Sequence, residues 1–227
     1  MNINTLSAKA LLGVTLLTMM LSSCGRKSGG FSYAELALIH GADSIMRVLT
    51  VNDPADTIVL RTASSDLPAE ALLSSDYDAL ARLMVATVTH PSQDGVGIAG
   101  PQVGLNRRVV SVQRFDKEGE PYEVYPNIRI VWASDSLAVG PEGCLSVPDR
   151  RGDVLRSTEI VIEYADIQQL TFNRLRQTPH ATYNKELSSS ELYNTIPMIR
   201  DTVSGFTAVI FQHEIDHLDG VLYIDRL

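Results

Sequence analysis

Apolar and polar residues follow two different periods along this chain, and the periods predict its elements. Leu80, Leu83, Met84 and Val88 recur at i, i+3, i+4 and i+8. That spacing is one face of an amphipathic helix of about four turns. A capping box over Ser75-Asp76-Tyr77-Asp78 opens it and His90-Pro91 ends it. A second helical stripe runs through Phe206, Val209, Ile210, His213 and His217, opened by Ser204-Gly205 and closed by Gly220. Strand patterns lie between the two helices. Arg108–Phe115 places Val110 and Val112 on one face, Glu123–Trp132 is interrupted at Pro126-Asn127, and Glu159–Ile167 alternates Ile160, Ile162 and Tyr164. Residues 31–45 suit a short helix, Thr57-Ile58-Val59-Leu60 an extended piece, and Val221–Ile224 a last strand. Residues 168–200 are polar and read as loop, with Thr178-Pro179-His180 and Ser188-Ser189-Ser190. An excursion of that kind belongs on the surface, and His180 is not expected to be a ligand.

The N-terminus has a different pattern. Lys9 precedes a nearly unbroken apolar run, Ala10–Leu21. The run is shorter than the about 20 residues a membrane-spanning helix needs, and it fits the core of a signal peptide. Leu21-Ser22-Ser23-Cys24 resembles a bacterial lipobox, whose cysteine becomes the acylated first residue. The expected organisation is therefore a lipoprotein signal peptide over residues 1–23, a tether over 24–40 starting at acylated Cys24, and one domain over 41–227. Acyl chains would hold the domain to the extracytoplasmic face of the cell membrane or the outer membrane. At 227 residues and 44% hydrophobic, the chain suits one globular core. A net charge of -8 with no basic block argues against a nucleic-acid partner. The pattern favours no particular oligomeric state. The two cysteines could pair, but each has another explanation.

The chemistry gathers at Gln212-His213-Glu214-Ile215-Asp216-His217, which reads H-E-x-x-H. Histidines four apart lie on one helix face, so both imidazoles can reach one metal ion. Glu214 adjoins the first of them, where it can take a proton from a water that the ion activates. The histidines continue an apolar stripe, and buried imidazoles need partners. A third ligand is still required. Only ten residues follow His217 and none is Glu; the position three after Gly220 is Tyr223, not His. Upstream lie Glu142-Gly143-Cys144-Leu145-Ser146, with the one cysteine outside the leader, and Gly95-Val96-Gly97-Ile98-Ala99-Gly100-Pro101-Gln102.

These three stretches resemble, in order, the signature motifs of the peptide deformylase family: G-φ-G-φ-A-x-x-Q, E-G-C-L-S and H-E-x-x-H. The resemblance covers about Ser75 to Leu227. It implies an α+β fold with antiparallel β-sheets around a central metal-binding helix. It implies one divalent ion on Cys144, His213 and His217, with Fe(II) as the working ion and Zn or Ni as substitutes. The implied reaction removes the N-formyl group from the terminal methionine of peptides and releases formate. Glu214 would move the protons, while the Gln102 side chain and the Leu145 backbone N–H would stabilise the oxyanion. Val96, Val209 and Phe206 would line the methionine pocket, and Gly97 and Ile98 would offer backbone groups to an extended peptide. Arg151 matches a family arginine near the substrate, and Asp216 is expected to turn away from the metal and pair with Arg156. Two departures stand out. Ala99-Gly100 replaces the family's Ala-Ala, a change expected to be tolerated and to loosen the loop. The 168–200 stretch is longer than the family's by roughly 25 residues, which a surface loop accommodates. Two other readings remain: an extracytoplasmic metallopeptidase or amidase of different specificity, which Cys144 and Gln102 fit poorly, and a non-catalytic lipoprotein, against which intact Glu214 argues.

Overall fold

Phe31 is wholly buried. The structure, a computed structural model, describes residues 30–93, 95–176 and 195–227. Ser32 caps helix α1, Tyr33–His40: its hydroxyl accepts the Glu35 N–H at 3.3 Å, and the Glu35 carboxylate accepts the Ser32 N–H at 2.6 Å. Arg107 then grips Glu35 through Nε at 2.5 Å. This corrects the expected tether for residues 31–40; residues 24–29 lie outside the described residues. From residue 31 the chain belongs to the domain, because Phe31 and Ile39 bury apolar area in its first core cluster. Cys24 lies outside the described residues.

Thr57–Leu60 is not extended either. It lies in α2, Pro54–Leu60, where the Asp53 carboxylate accepts the Ala55 N–H at 2.8 Å and Pro54 takes the first turn. That start signal outweighs the β-branched run. A single turn, α3, Ala69–Leu72, precedes α4, Ser75–Val88. The cap of α4 is Ser74, one residue earlier than expected, accepting the Tyr77 N–H at 3.2 Å. Leu80, Met84 and Val88 are fully buried against the first cluster.

Strands β1, Gly97–Ala99, β2, Val109–Gln113, and β3, Tyr122–Pro126, form one sheet in that order. Strand β4, Arg129–Ala133, belongs to a second sheet, so the single segment expected over Glu123–Trp132 divides in two. Asn127 is the divide. Its φ is 55°, and its side-chain amide holds both the N–H and the C=O of Leu67, at 2.7 and 2.9 Å. The long hairpin β5, Leu137–Cys144, and β6, Val147–Ser157, follows. Strand β7, Glu159–Ala165, sits between β4 and β8, Met198–Ser204. Every pairing among these strands is antiparallel.

The loop expected over 168–200 is in part regular. Helix α5 covers Ile167–Arg176 and buries Leu170, and β8 pairs with β7 along its whole length. The polar composition hid one apolar anchor and one edge strand. Thr178-Pro179-His180 and Ser188–Ser190 lie outside the described residues. Helix α6, Gly205–Leu218, packs between the sheets, with Ala208, Phe211 and Ile215 meeting Val110, Ile160 and Ile162 in the second cluster. The fold is α+β, antiparallel sheets around this helix. The last residues form a 3-10 turn, Tyr223–Asp225, rather than a strand. The Asp225 carboxylate accepts the Leu222 N–H at 2.9 Å, and Leu222 and Tyr223 bury their side chains beside Val147 and Val154. Among the described residues no helix is long and apolar enough to cross a membrane.

Candidate active site

Helix α6 carries His213 and His217 one turn apart, with their ring centroids 5.1 Å from one another. Cys144, at the end of β5, brings Sγ to 3.1 Å from Nε2 of His217. One ligand atom from each of the three residues lies within 4.8 Å of the other two. His213 turns Nδ1 to Glu142 Oε2 at 2.8 Å, which leaves Nε2 for the shared point.

Burial alone would raise the thiol of Cys144, but the imidazoles of His217 and His213 hold it well below its ordinary value. Burial pulls His213 down, yet its bonds to Cys144 and Glu142 outweigh that and lift it to about 10. A cysteine sulfur facing two imidazoles within 4.8 Å of one another is a donor set suited to zinc or Fe(II).

Glu142 received no role from the sequence, although it opens its motif. It is buried, and Arg156 holds it through Nε at 2.7 Å and Nη2 at 3.0 Å. Burial pushes this carboxyl up; the bonds to His213 and Arg156 more than offset it and bring it to about 2. Arg156 also reaches Asp216 at 2.6 Å, which Arg226 grips from the other side at 2.5 Å. Asp216 thus points away from the donor cluster.

Glu214 is buried beside His213, and burial raises its carboxyl to about 7. Its Oε2 has no hydrogen-bond partner among the described residues. Gly97 makes room for it: a Cβ at residue 97 would collide with the Glu214 carboxylate. Gln102 is oriented at both ends. Its Oε1 accepts the Ala99 N–H at 2.8 Å, so Nε2 faces Ser146 Oγ at 3.2 Å and Cys144 Sγ at 3.6 Å. Ser146 was also missed; its N–H donates to Cys144 Sγ at 3.4 Å.

A cleft of about 850 Å³ opens over this cluster. Gln102, Cys144, Leu145, His213 and Glu214 line it, as do Val96, Gly97, Val209, Phe206 and Arg151. His217 is buried beneath. Ile98 does not face the cleft, a correction to its expected place. Its side chain is fully buried in the first core cluster. Its backbone is turned inward as well. The Gln113 N–H donates to Val96 C=O at 2.8 Å, and Gly97 pairs with Val112, so Gly97 sits between the ladder bonds to β2. The N–H and C=O of Gly97 therefore face the free edge of β1, and those of Ile98 face β2. Gly100 is not a slack position. A Cβ there would stand 2.6 Å from the Arg107 carbonyl oxygen and 2.7 Å from that of Leu105. Glycine is required by close backbone approach, so the expected looser loop is not what this residue produces.

The family described as polypeptide deformylase matches residues 45–178 and 194–227. Peptide deformylase 2 of Gloeobacter violaceus is 36% identical over 171 residues, covering 74% of this chain and 74% of that protein. Peptide deformylase 1 of Vibrio vulnificus is 33% identical over 184 residues, covering 81% and 87%. Among solved structures, the Met-Ala-Ser-bound class I type b peptide deformylase of Acinetobacter baumannii aligns with a TM-score of 0.61 at 29% identity, over 82% of this chain and all of that one.

Proposed function

The chain belongs to the polypeptide deformylase family, and on that premise we propose that the cluster of Cys144, His213, Glu214 and His217 is its reaction centre. The protein is a hydrolase that removes the N-formyl group from the terminal methionine of peptides, releasing formate. It uses one divalent metal ion. The observation that carries the assignment of the site is the meeting of three donor atoms within 4.8 Å at the floor of one cleft, with Glu214 and Gln102 beside them.

A divalent ion held by Cys144, His213 and His217 supplies Lewis acidity and lowers the pKa of water towards neutrality. The thiolate in the donor set supports Fe(II) as the working ion, with Zn or Ni as substitutes. Glu214, buried beside the cluster, accepts the proton of the attacking water and returns it to the leaving amine. Gln102 Nε2 and the Leu145 N–H donate to the developing oxyanion. Glu142 fixes the tautomer of His213 by accepting from Nδ1. The substrate backbone pairs with the free edge at Gly97, and its methionine enters between Val96, Val209 and Phe206. A formyl carbon bears only hydrogen, so the crowded floor excludes larger acyl groups. Formate release from formyl-Met-Ala-Ser, with the acetylated peptide inert, is the expected result. Equal turnover of both, or of neither, would sink this reading.

Cys24 lies in Leu21-Ser22-Ser23-Cys24 behind an apolar run, and that pattern supports acylation there and anchoring on the extracytoplasmic face of a membrane.

A further inference from the structure

Two arginines stand uncompensated at the mouth of the cleft. Arg150 and Arg151 are exposed, line the cleft and make no ion pair among the described residues. Elsewhere Arg107, Arg114 and Arg156 are each tied to carboxylates. The cleft's own acids do not balance the pair. Glu142 is taken by Arg156 and His213, Glu214 is buried at the floor, and only Asp149 is exposed beside the two cations.

The backbone explains how neighbours in sequence come to share one cleft. Along a regular strand, residues 150 and 151 would point to opposite faces. Here Cys144 pairs with Val147 but Gly143 with Arg151, so Pro148, Asp149 and Arg150 bulge out of the ladder. Asp149 turns the bulge at φ 60°. The excursion breaks the alternation, and both residues line the cleft. Arg151 lies along β5: a Cβ built on Gly143 would be 3.5 Å from its Cγ and 3.8 Å from its Cζ. It is thus one residue from Cys144, with Arg150 next to it at the mouth. On a chain with net charge -8, this positive rim runs against the molecule's overall field.

We propose that Arg150, together with Arg151, makes the cleft select formyl peptides that carry an acidic side chain beyond the methionine. The inference rests on the reading of the cleft as the formyl-peptide site. An added carboxylate meets two exposed arginines that make no ion pair among the described residues, whereas a lysine there is repelled.

The test compares kcat/KM of metal-loaded enzyme on two isosteric pairs: formyl-Met-Ala-Glu-amide against formyl-Met-Ala-Gln-amide, and formyl-Met-Glu-Ala-amide against formyl-Met-Gln-Ala-amide. At least one Glu peptide is preferred by about two- to fivefold at low ionic strength, within the range that exposed pairs supply. The preference fades in about 1 M salt, where the screening length is about 3 Å. Arg150→Gln cuts the Glu-to-Gln ratio at least about twofold. Arg82→Gln, at an exposed position of α4 outside the cleft, leaves it unchanged. Because the readout is a ratio within each variant, a general loss of rate does not imitate it. Equal turnover within both pairs, or a preference that survives Arg150→Gln, overturns the inference while leaving the deformylase reading intact. No formate from any peptide overturns both.

Discussion

The Glu214 carboxylate occupies the space a Cβ at residue 97 would take. Glu214→Gln keeps that shape but accepts no proton. Formate release should fall by at least about 100-fold, while metal content measured on the same sample stays full. An unchanged rate would assign the proton transfers elsewhere. Glu142 acts one step further back. It joins His213 to Arg156, so Glu142→Gln loses a charge-assisted bond to the ligand and leaves a buried guanidinium short of its partner. Metal affinity should drop by about 10- to 100-fold in competition with a chelator, the usual effect of losing such a partner. Affinity equal to that of the parent would show that Arg156 and Asp216 hold the frame without it.

At the scale of elements, α1 is the piece the sequence undervalued. Glu35 closes its capping box and binds Arg107, which lies just ahead of β2. Burial pushes the Glu35 carboxyl up, but the bonds from Arg107 and Ser32 outweigh it and hold it below its ordinary 4.5. A carboxyl depressed on folding adds stability that is present above the unfolded value and disappears as pH falls through the folded one. Glu35→Gln should therefore cost about 1–2 kcal/mol in urea unfolding at pH 7 and close to nothing once the pH lies well below that ordinary value. A loss independent of pH would point to the cap alone. The turn after β1 makes a second prediction. Gly100 is pressed by two carbonyl oxygens, so Gly100→Ala, although it restores the family's residue, should destabilise by about 1–3 kcal/mol. An unshifted urea midpoint would mean that the Arg107 and Leu105 carbonyls yield without strain.

For the whole molecule, the resemblance of Leu21-Ser22-Ser23-Cys24 to a lipobox makes a prediction about location. Cys24→Ala should move the protein from the membrane pellet to the soluble fraction, or leave a longer precursor on a gel. Wild-type protein found soluble with its leader intact would end the anchored reading. How much of this protein could be read beforehand depended on range. His213 and His217 share a face because a helix brings i and i+4 together whatever surrounds it, and Glu214 comes with them. The stripe through Leu80, Met84 and Val88 marked α4 for the same local reason. Elements that depend on distant partners were less legible. Thr57–Leu60 became helix through the cap at Asp53, and α1 became part of the domain because Phe31 and Ile39 found a core to enter. Ile98 turned from the cleft because the register with Ser111 decides its face, and a strand's two faces alternate with nothing in the residue itself to choose between them. Cys144 meets His217 across 73 positions, Glu142 reaches His213 across 71, and Arg150 gains the cleft through a bulge set by the pairing of β5 with β6. Periodicity is a property of neighbours along the chain, so it could announce the chemistry; only packing between segments far apart in the chain could arrange it in space.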